Sequence, residues 1–269
     1  MLLKFGMLLL AIIAATVIAI WPLNGEPKIN RLVLTNIDPT KGSKPVNIAL
    51  LSDLHVTNDQ QSVRDLSELW HQIIDSDPDI IMLAGDYIND GASGKKIGAT
   101  RAAIAGILGE SSQIPVIAVL GNHDHWSDSA LWASEFRQAG ITVLENQVAV
   151  LDVLKLCVRG FDDAFTGQFT YVDFPNICDT HTRVTLTHDP AAAFDARVRG
   201  LVLAGHTHCG QIRLPVLGTL YVPTTAPKSA HCGLYEDQQR QVYVSAGIGT
   251  SIIPLRFLAE PQWDSITLY

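Results

Sequence analysis

Five short clusters of aspartate, asparagine and histidine each directly follow an apolar stretch of the chain. They contain Asp53 and His55; Asp86; Asn122 and His123; His188; and His206 and His208. Placing so many polar groups beside a core is costly unless they bind something. Carboxylate, amide and imidazole donors together suit divalent first-row metals such as Mn, Fe or Zn better than a thiolate site would. The residue types therefore predict a metal site.

The densest cluster is Gly121-Asn122-His123-Asp124-His125, which follows an apolar run at 116–120. It places one amide, one carboxylate and two imidazoles within four consecutive residues. We expect this cluster to bind both metal and phosphate, with the other clusters supplying the remaining ligands.

The apolar runs before the clusters predict buried strands at Val46–Leu51, Ile80–Ala84, Val116–Leu120, Arg183–Thr187 and Leu201–Ala204. Sites in open α/β sheets form outside the carboxyl ends of the strands, so the clusters can converge there. Within two clusters the aspartate or histidine pair is spaced i, i+2, which puts both side chains on one side of an extended segment. A single aspartate after a strand is usually a turn or cap residue, but five clusters at five strand ends are hard to explain as independent caps.

Apolar residues at helical spacing predict helices between the early strands. These helices are expected around Leu66–Ile74, at 99–108, and from an N-cap at Ser127 to Gly140. After Gly140, short strand-like runs at close spacing predict antiparallel pairing. Further strands are predicted at 142–144, 148–153, 156–161, 221–223, 241–246 and 265–269, with an edge strand at 31–34. Two sheets packed face to face, with helices outside, would account for both halves.

The composition limits the class of protein. The 269 residues are 47% hydrophobic and 17% charged, which argues against disorder, and the formal net charge is −8. That acidic balance argues against a nucleic-acid partner, whereas bound metal ions would still allow a small anionic substrate. We expect one catalytic domain over 46–269, preceded by a tether at 24–45.

Residues 1–23 are expected to be a transmembrane anchor or a signal sequence. Phe5 to Leu23 is almost wholly apolar, and nineteen residues at about 1.5 Å rise approach the thickness of a bilayer core. The alternative is a signal peptide cleaved after Val17-Ile18-Ala19. We favour the uncleaved anchor, although Lys4, Lys28 and Arg31 determine its orientation only weakly.

The four cysteines, Cys157, Cys178, Cys209 and Cys232, contain no Cys-x-x-Cys pair. This spacing excludes a zinc ribbon or a thioredoxin-like motif. One or two disulfides are expected if the domain lies outside the cytoplasm, and ordinary thiols otherwise.

The ordered clusters resemble a known set of motifs. Asp53-x-His55, Gly85-Asp86, Gly121-Asn122-His123-Asp124, His188 and Gly205-His206-x-His208 are similar, in order, to those of the calcineurin-like metallophosphoesterases. The resemblance extends from Val46 to the C-terminus, and it points to the bacterial membrane-anchored YkuE/YaeI-type phosphodiesterase branch. It implies a four-layer α/β/β/α sandwich of two mixed sheets with helices outside. It also implies a single-pass protein of the bacterial inner membrane, with the extracytoplasmic side favoured.

The same resemblance implies two divalent metal ions, with manganese as the first choice and iron or zinc as alternatives. One ion would be held by Asp53, His55, Asp86 and His208, and the other by Asp86, Asn122, His188 and His206. Asp86 would bridge them, and such a pair clamps the oxygens of an in-line displacement. His123 and Asp124 would be the catalytic residues. His123 would face the substrate and protonate the leaving alkoxide, and Asp124 would orient His123.

Three further residues have weaker assignments. His125 could extend the hydrogen-bonding around His123 or be structural, and Arg256 is a candidate for phosphate contact. Cys209 stands where the branch commonly has glycine, and we expect it to be a small buried filler.

The expected function is hydrolysis of phosphodiester or monoester bonds by metal-activated hydroxide. The substrate would be a small phosphate ester or a lipid-linked one. An alternative is a lipid-linked pyrophosphatase such as a UDP-2,3-diacylglucosamine diphosphatase. A further alternative is a non-catalytic metal-binding scaffold at the membrane. The sequence does not indicate the oligomeric state.

Overall fold

The structure is a computed structural model that describes residues 25–35, 44–89, 97–110, 113–214, 218–219 and 221–269. The expected anchor at 1–23 lies outside these residues. Within the described ranges, no helix is long and apolar enough to cross a bilayer.

The described residues form strands, four α-helices and several short 3₁₀ turns. The helices are α1 Gln60–Asp75, α2 Ile97–Gly109, α3 Asn122–Trp126 and α4 Ser129–Gln138. The strands are β1 Lys28–Leu34, β2 Val46–Leu51, β3 Ile80–Ala84, β4 Val116–Val119, β5 Thr142–Val143, β6 Gln147–Leu151, β7 Leu156–Gly160, β8 Thr182–Leu186, β9 Gly200–Ala204, β10 Arg213–Leu214, β11 Gly218–Thr219, β12 Gly233–Glu236, β13 Arg240–Val244 and β14 Gln262–Leu268.

Two mixed six-stranded sheets contain all of these strands except β10 and β11, which pair as a separate hairpin. The first sheet has the order β1-β14-β2-β3-β4-β5, and its strands β2 to β5 run parallel. The second has the order β12-β13-β9-β8-β7-β6. The edge strand predicted at 31–34 is confirmed as β1, which pairs with β14.

The antiparallel pairing predicted after Gly140 is wrong for most of the second sheet. Only its outer pairs β6–β7 and β12–β13 run antiparallel, whereas β7, β8, β9 and β13 are parallel. Close spacing along the chain predicts hairpins, but tight turns in this sheet join only β6 to β7 and β12 to β13. Long crossovers join the parallel strands, as their geometry requires.

Three local predictions also differ from the structure. The segment predicted as a strand at 221–223 belongs to no sheet, and β12 was not predicted. The N-cap of α4 is Asp128, whose side chain accepts a hydrogen bond from the Leu131 amide at 3.2 Å. Ser127 instead ends α3, and its hydroxyl donates to the His123 carbonyl at 2.7 Å.

The core lies in layers, and β3 shows how one strand serves two of them. Ile81 and Leu83 pack against the helices, whereas Met82 and Ala84 pack against the second sheet. This division follows from the alternation of side chains along a strand. The outer face of the second sheet is covered by a 3₁₀ turn at Pro190–Phe194 and neighbouring loops. The predicted arrangement of two mixed sheets with helices outside is therefore confirmed, and among the described residues the outer layer on the second sheet is a 3₁₀ turn with loops.

Two disulfides join the four cysteines. Cys157 of β7 is bonded to Cys178, and Cys209 is bonded to Cys232. The expectation that Cys209 is only a small buried filler is wrong, because its sulfur is covalently paired. The second bridge ties the chain next to His208 to the residue before β12.

Candidate metal centre

The carboxyl ends of five strands, three from the first sheet and two from the second, meet at one end of the molecule. There β2, β3 and β4 lead to the clusters at Asp53, Asp86 and Asn122, and β8 and β9 lead to those at His188 and His206. All seven residues predicted as metal ligands are buried. Atoms of six of the seven, all but Asn122, form overlapping groups together with His123. In each group every ligand atom lies within 4.8 Å of the others: Asp53, His55 and His208; His55, Asp86 and His123; and Asp86, His188 and His206.

Five of these seven residues have left-handed backbone conformations. The φ angles are 52° at Asp53, 44° at His55, 58° at Asp86, 67° at His206 and 49° at His208. A non-glycine residue there costs roughly 1–3 kcal/mol and persists only where the surrounding structure enforces it. The strand ends therefore hold strained backbone that turns these side chains toward one another.

Two glycines allow the strand ends to approach closely. A Cβ atom on Gly205 would lie 1.6 Å from Ser52 Oγ, and one on Gly121 would lie 2.3 Å from Asp86 Oδ1. Any side chain at either position would displace an aspartate of the site. The glycines of Gly205-His206 and Gly121-Asn122 are thus required by packing around the carboxylates.

The first group of donors contains Asp53, His55 and His208. The Nε2 atoms of the two histidines are 3.0 Å apart, and Asp53 Oδ1 is 3.4 Å from His208 Nε2. Burial lowers the pKa of His55 to about 3, and burial together with His55 and Arg256 holds the pKa of His208 well below its usual value. Both rings are therefore neutral at pH 7, and neutral imidazole is the form that binds metal.

The second group contains Asn122, His188 and His206. His188 Nδ1 donates to the Ala84 carbonyl at 2.7 Å, and His206 Nε2 donates to the Pro223 carbonyl at 2.6 Å. Because a carbonyl only accepts, these bonds leave His188 Nε2 and His206 Nδ1 as the nitrogens that face the cluster, 3.1 Å apart. Asn122 Oδ1 lies 3.1 Å from His188 Nε2. Outer hydrogen bonds of this kind typically orient histidines that bind metal.

Asp86 lies between the two groups. Its Oδ2 atom is 3.5 Å from His55 Nε2 and 3.4 Å from His188 Nε2, and its Oδ1 accepts from the His123 amide at 2.8 Å. Burial raises the pKa of the Asp86 carboxyl, but His188 and the other histidines outweigh burial and hold it well below the usual range. An ionised carboxylate flanked by ring nitrogens on two sides fits a bridge between two cations.

His123 lies at the edge of the cluster. Its Nδ1 donates to the Asn89 carbonyl at 3.1 Å, which leaves Nε2 as the nitrogen that can reach a substrate. Its ring centroid is 4.7 Å from that of His55 and 5.0 Å from that of Trp126.

Asp124 does not orient His123 as predicted. Its Oδ2 accepts from the amides of Asp86 and Gly121 at 2.8 Å each, and its Oδ1 accepts from the Tyr87 amide at 3.0 Å. Burial and the charge of Asp86 raise the pKa of the Asp124 carboxyl to about 7. The carboxylate thus joins the loop after β3 to the start of α3, and the Asn89 carbonyl is the group that holds the His123 ring.

Neither of the two weaker candidates belongs to the groups of ligand atoms. His125 Nε2 is 2.7 Å from Asp162 Oδ1 in a largely buried ion pair. Arg256 is buried, donates to the carbonyls of Gly249 and Ala259, and places Nη2 3.0 Å from His208 Nδ1. Its guanidinium lies behind His208 and is held by backbone carbonyls, a position that favours a core-edge arginine, and the phosphate contact of Arg256 stays a prediction.

A cavity of about 640 Å³ adjoins the cluster. It is lined by His125, Trp126, Ser129, Glu145, Asp162, Phe165, Thr166 and Gln168. The half-exposed ring of Phe165 is 4.9 Å from the His206 ring and 6.3 Å from that of Trp126. The sequence patterns predict neither these aromatic residues beside the cavity nor the carbonyl groups of Ala84, Asn89 and Pro223 as hydrogen-bond acceptors. A backbone acceptor has no residue-type signature, so only the fold reveals it.

Comparisons with known proteins agree with this geometry. The sequence profile described as calcineurin-like phosphoesterase matches residues 46–210. Metallophosphoesterase YkuE of Bacillus subtilis is 31% identical over 229 residues, covering 82% of this chain and 78% of that protein. Phosphodiesterase YaeI of Escherichia coli is 30% identical over 233 residues, covering 83% and 82%.

Two further matches have lower sequence identity. A Danio rerio protein named "Transmembrane protein with metallophosphoesterase domain" is 26% identical over 288 residues, covering 98% of this chain and 63% of that protein. The crystal structure of a putative 5'-nucleotidase from Staphylococcus aureus matches with a TM-score of 0.43 and 12% identity, covering 76% of this chain. The chain spans about half of that structure, 49% of its length.

Proposed function

This chain belongs to the calcineurin-like phosphoesterase family, and from that membership we propose the roles of the residues at its metal centre. The chain is a metal-dependent hydrolase of phosphate esters, with a dinuclear site for divalent ions built from aspartate and histidine. The position of Asp86 Oδ2 between His55 and His188 carries the proposal. In it, Asp53, His55, Asp86 and His208 hold one ion, and Asp86, Asn122, His188 and His206 hold the other.

The donor set fits two cations. The facing ring nitrogens of His55 and His208, and of His188 and His206, are each about 3 Å apart, and such pairs repel unless a proton or a cation lies between them. When bound, two ions would neutralise charge on the phosphoryl oxygens and lower the pKa of water toward neutrality. We propose manganese, because carboxylate, amide and imidazole donors without thiolate suit it; iron and zinc are the alternatives.

His123 is the proposed proton donor to the leaving oxygen. Nδ1 donates to the Asn89 carbonyl, so the proton for the leaving oxygen would come from Nε2. That proton passes to the leaving alkoxide as its bond to phosphorus breaks. Trp126 and Phe165 border the adjoining cavity, where they would hold the leaving group and exclude water.

We also propose that residues 1–23 anchor the domain to a membrane, with the catalytic domain on the extracytoplasmic side. The apolar run from Phe5 to Leu23 has the length of a bilayer span. The Danio rerio relative, whose alignment covers 98% of this chain, is named a transmembrane protein. Disulfides persist in oxidising compartments, and both pairs of cysteines are bonded.

The test is a panel of substrates with metal removal and replacement. The full chain, stripped with a chelator and then supplied with Mn²⁺, Fe²⁺ or Zn²⁺, should recover hydrolysis of bis(p-nitrophenyl) phosphate above that of p-nitrophenyl phosphate. Preferential cleavage of a UDP-linked diacyl lipid would instead favour the pyrophosphatase. Metal binding without turnover on any ester would contradict an enzyme and favour the scaffold.

A further inference from the structure

Four exposed apolar side chains lie on two neighbouring loops beside the metal centre. Tyr221 is 72% exposed, Ile252 92%, Ile253 50% and Leu258 46%. We call these four residues the apolar ledge. We propose that the ledge inserts into a lipid bilayer, so that the metal centre takes phosphate esters carried by lipids; the substrate half of this proposal rests on the proposed function.

Hydrogen bonds fix the loop that carries Ile252, Ile253 and Leu258 to the chain after β9. The Phe257 amide donates to the Gln211 carbonyl, and the Arg213 amide donates to the Phe257 carbonyl, both at 2.8 Å. The Gln211 side chain donates to the Ile253 carbonyl at 2.7 Å. The loop before β14 is therefore joined to the chain after β9, and Tyr221 lies further along that chain, after β11.

The same loops are fixed to the candidate metal ligands. The Gly249 amide donates to the Asp53 carbonyl at 2.6 Å, and Arg256 lies 3.0 Å from His208 Nδ1. Pro223, two residues after Tyr221, accepts the hydrogen bond of His206 Nε2. A surface that contacts the ledge is thereby held next to the metal centre.

The amino-acid composition and the backbone conformation of the ledge favour a surface that contacts a partner. The only charged residue between Thr250 and Leu258 is Arg256, and it is buried. Ile252 and Leu258 have φ angles of 62° and 53°, which are unfavourable for branched or bulky residues. Exposure of these side chains is costly in water, and their transfer into lipid would offset that cost.

The position of Lys28, at the start of β1, points to a bilayer as the occupant. The Lys28 amide donates to the Pro261 carbonyl at 2.9 Å, and the Lys28 ammonium pairs with Glu260 at 2.7 Å. The chain thus enters the fold beside the end of the ledge loop, a few residues after the apolar run at 5–23. An apolar run of that length fits a bilayer span, which would bring the ledge near the same bilayer. A second copy is a poorer occupant, because four side chains bury too small an area for a stable dimer.

Labelling of the full chain tests the contact. All four cysteines are paired, so Ile252→Cys introduces one reactive thiol, to be confirmed by thiol titration before labelling with an environment-sensitive fluorophore. Val153→Cys is the control, since Val153 is 97% exposed on the turn between β6 and β7. In vesicles of palmitoyl-oleoyl phosphatidylcholine with doxyl-labelled phosphatidylcholine, the label at 252 should shift to the blue and be quenched, and the label at 153 should not. Equal fluorescence changes of the labels at 252 and 153 would overturn the proposal. So would a fluorescence change at 252 that a second copy of the protein causes and vesicles do not.

Kinetics test the substrate class. Ile252→Ser combined with Ile253→Ser should lower kcat/KM at least about tenfold for hexadecyl p-nitrophenyl phosphate in those vesicles, from the lost apolar burial. It should leave kcat/KM for soluble bis(p-nitrophenyl) phosphate unchanged, and Val153→Ser should change neither. Equal losses on both substrates would overturn the lipid assignment. A wild-type chain that hydrolyses neither ester would instead refute the proposed function, and the labelling result would still decide the contact.

Discussion

Backbone carbonyl groups determine which nitrogen each of three histidines presents. Ala84, Asn89 and Pro223 accept from His188, His123 and His206 respectively. The other nitrogen of each ring is thereby left for metal or substrate. The identity of these histidines could be predicted from the motifs. Their ring orientation could not, because the accepting carbonyls come from distant parts of the chain.

His123→Ala should separate chemistry from metal binding. If Nε2 protonates the leaving oxygen, kcat should fall about 10²–10⁴-fold for a dialkyl diester and less for bis(p-nitrophenyl) phosphate, whose phenolate leaves without a proton. Metal content by elemental analysis should stay near that of wild type. His71→Ala, at an exposed position of α1, is the matched control. Equal losses on both diesters would argue against proton donation by His123.

His125 should contribute stability that depends on pH. Burial lowers the pKa of His125, but the hydrogen bond to Asp162 outweighs burial and places the net pKa above the usual 6.5. The pair therefore stabilises the fold fully below about pH 6.5, and this stabilisation is lost as the pH rises through the elevated pKa of His125 in the folded state. In urea unfolding, His125→Gln should lower the free energy of unfolding by about 1 kcal/mol more at pH 6 than at pH 9. A cost that grows with pH would show that the pair is not ionic.

At the scale of secondary structure, Asp124 links two elements that carry ligands. Its carboxylate accepts from three backbone amides, at Asp86, Tyr87 and Gly121. In Asp124→Asn the side-chain amide cannot accept all three, so we expect a loss of about 1–3 kcal/mol in unfolding free energy. Asp65→Asn, an exposed position on α1, should be nearly neutral. Full stability combined with a fall in kcat like that of His123→Ala would instead support the role in orienting His123.

The sequence patterns predicted the strands before the clusters because those strands are buried and end at polar residues. β2, β3, β4, β8 and β9 agree with prediction to within about one residue at each end. Pairing in the second sheet could not be predicted, because direction depends on crossovers through space rather than on spacing along the chain. β12 was missed because its residues alternate between partly and largely exposed positions, which leaves little apolar signal.

At the scale of the whole molecule, the disulfides cross-link the second sheet and its connections. They join residues separated by 21 and 23 positions, and each should contribute about 3 kcal/mol. Reduction should therefore lower Tm markedly in calorimetry. Cys209→Ser with Cys232→Ser should also lower metal content, since Cys209 follows His208, whereas Cys157→Ser with Cys178→Ser should not. Four titratable thiols in protein purified under oxidising conditions would contradict both pairings.

At the scale of the whole molecule, strands of both sheets end around Asp86, whose Oδ2 lies between His55 and His188. The most direct test is metal stoichiometry in Asp86→Asn and in wild type, each dialysed against Mn²⁺ and measured alongside hydrolysis of bis(p-nitrophenyl) phosphate. A bridging Asp86 predicts two ions per wild-type chain. It also predicts weakened binding of both ions, with activity nearly lost, in the variant. Circular dichroism should report a retained fold. An Asp86→Asn chain that keeps both ions and its turnover would contradict the account.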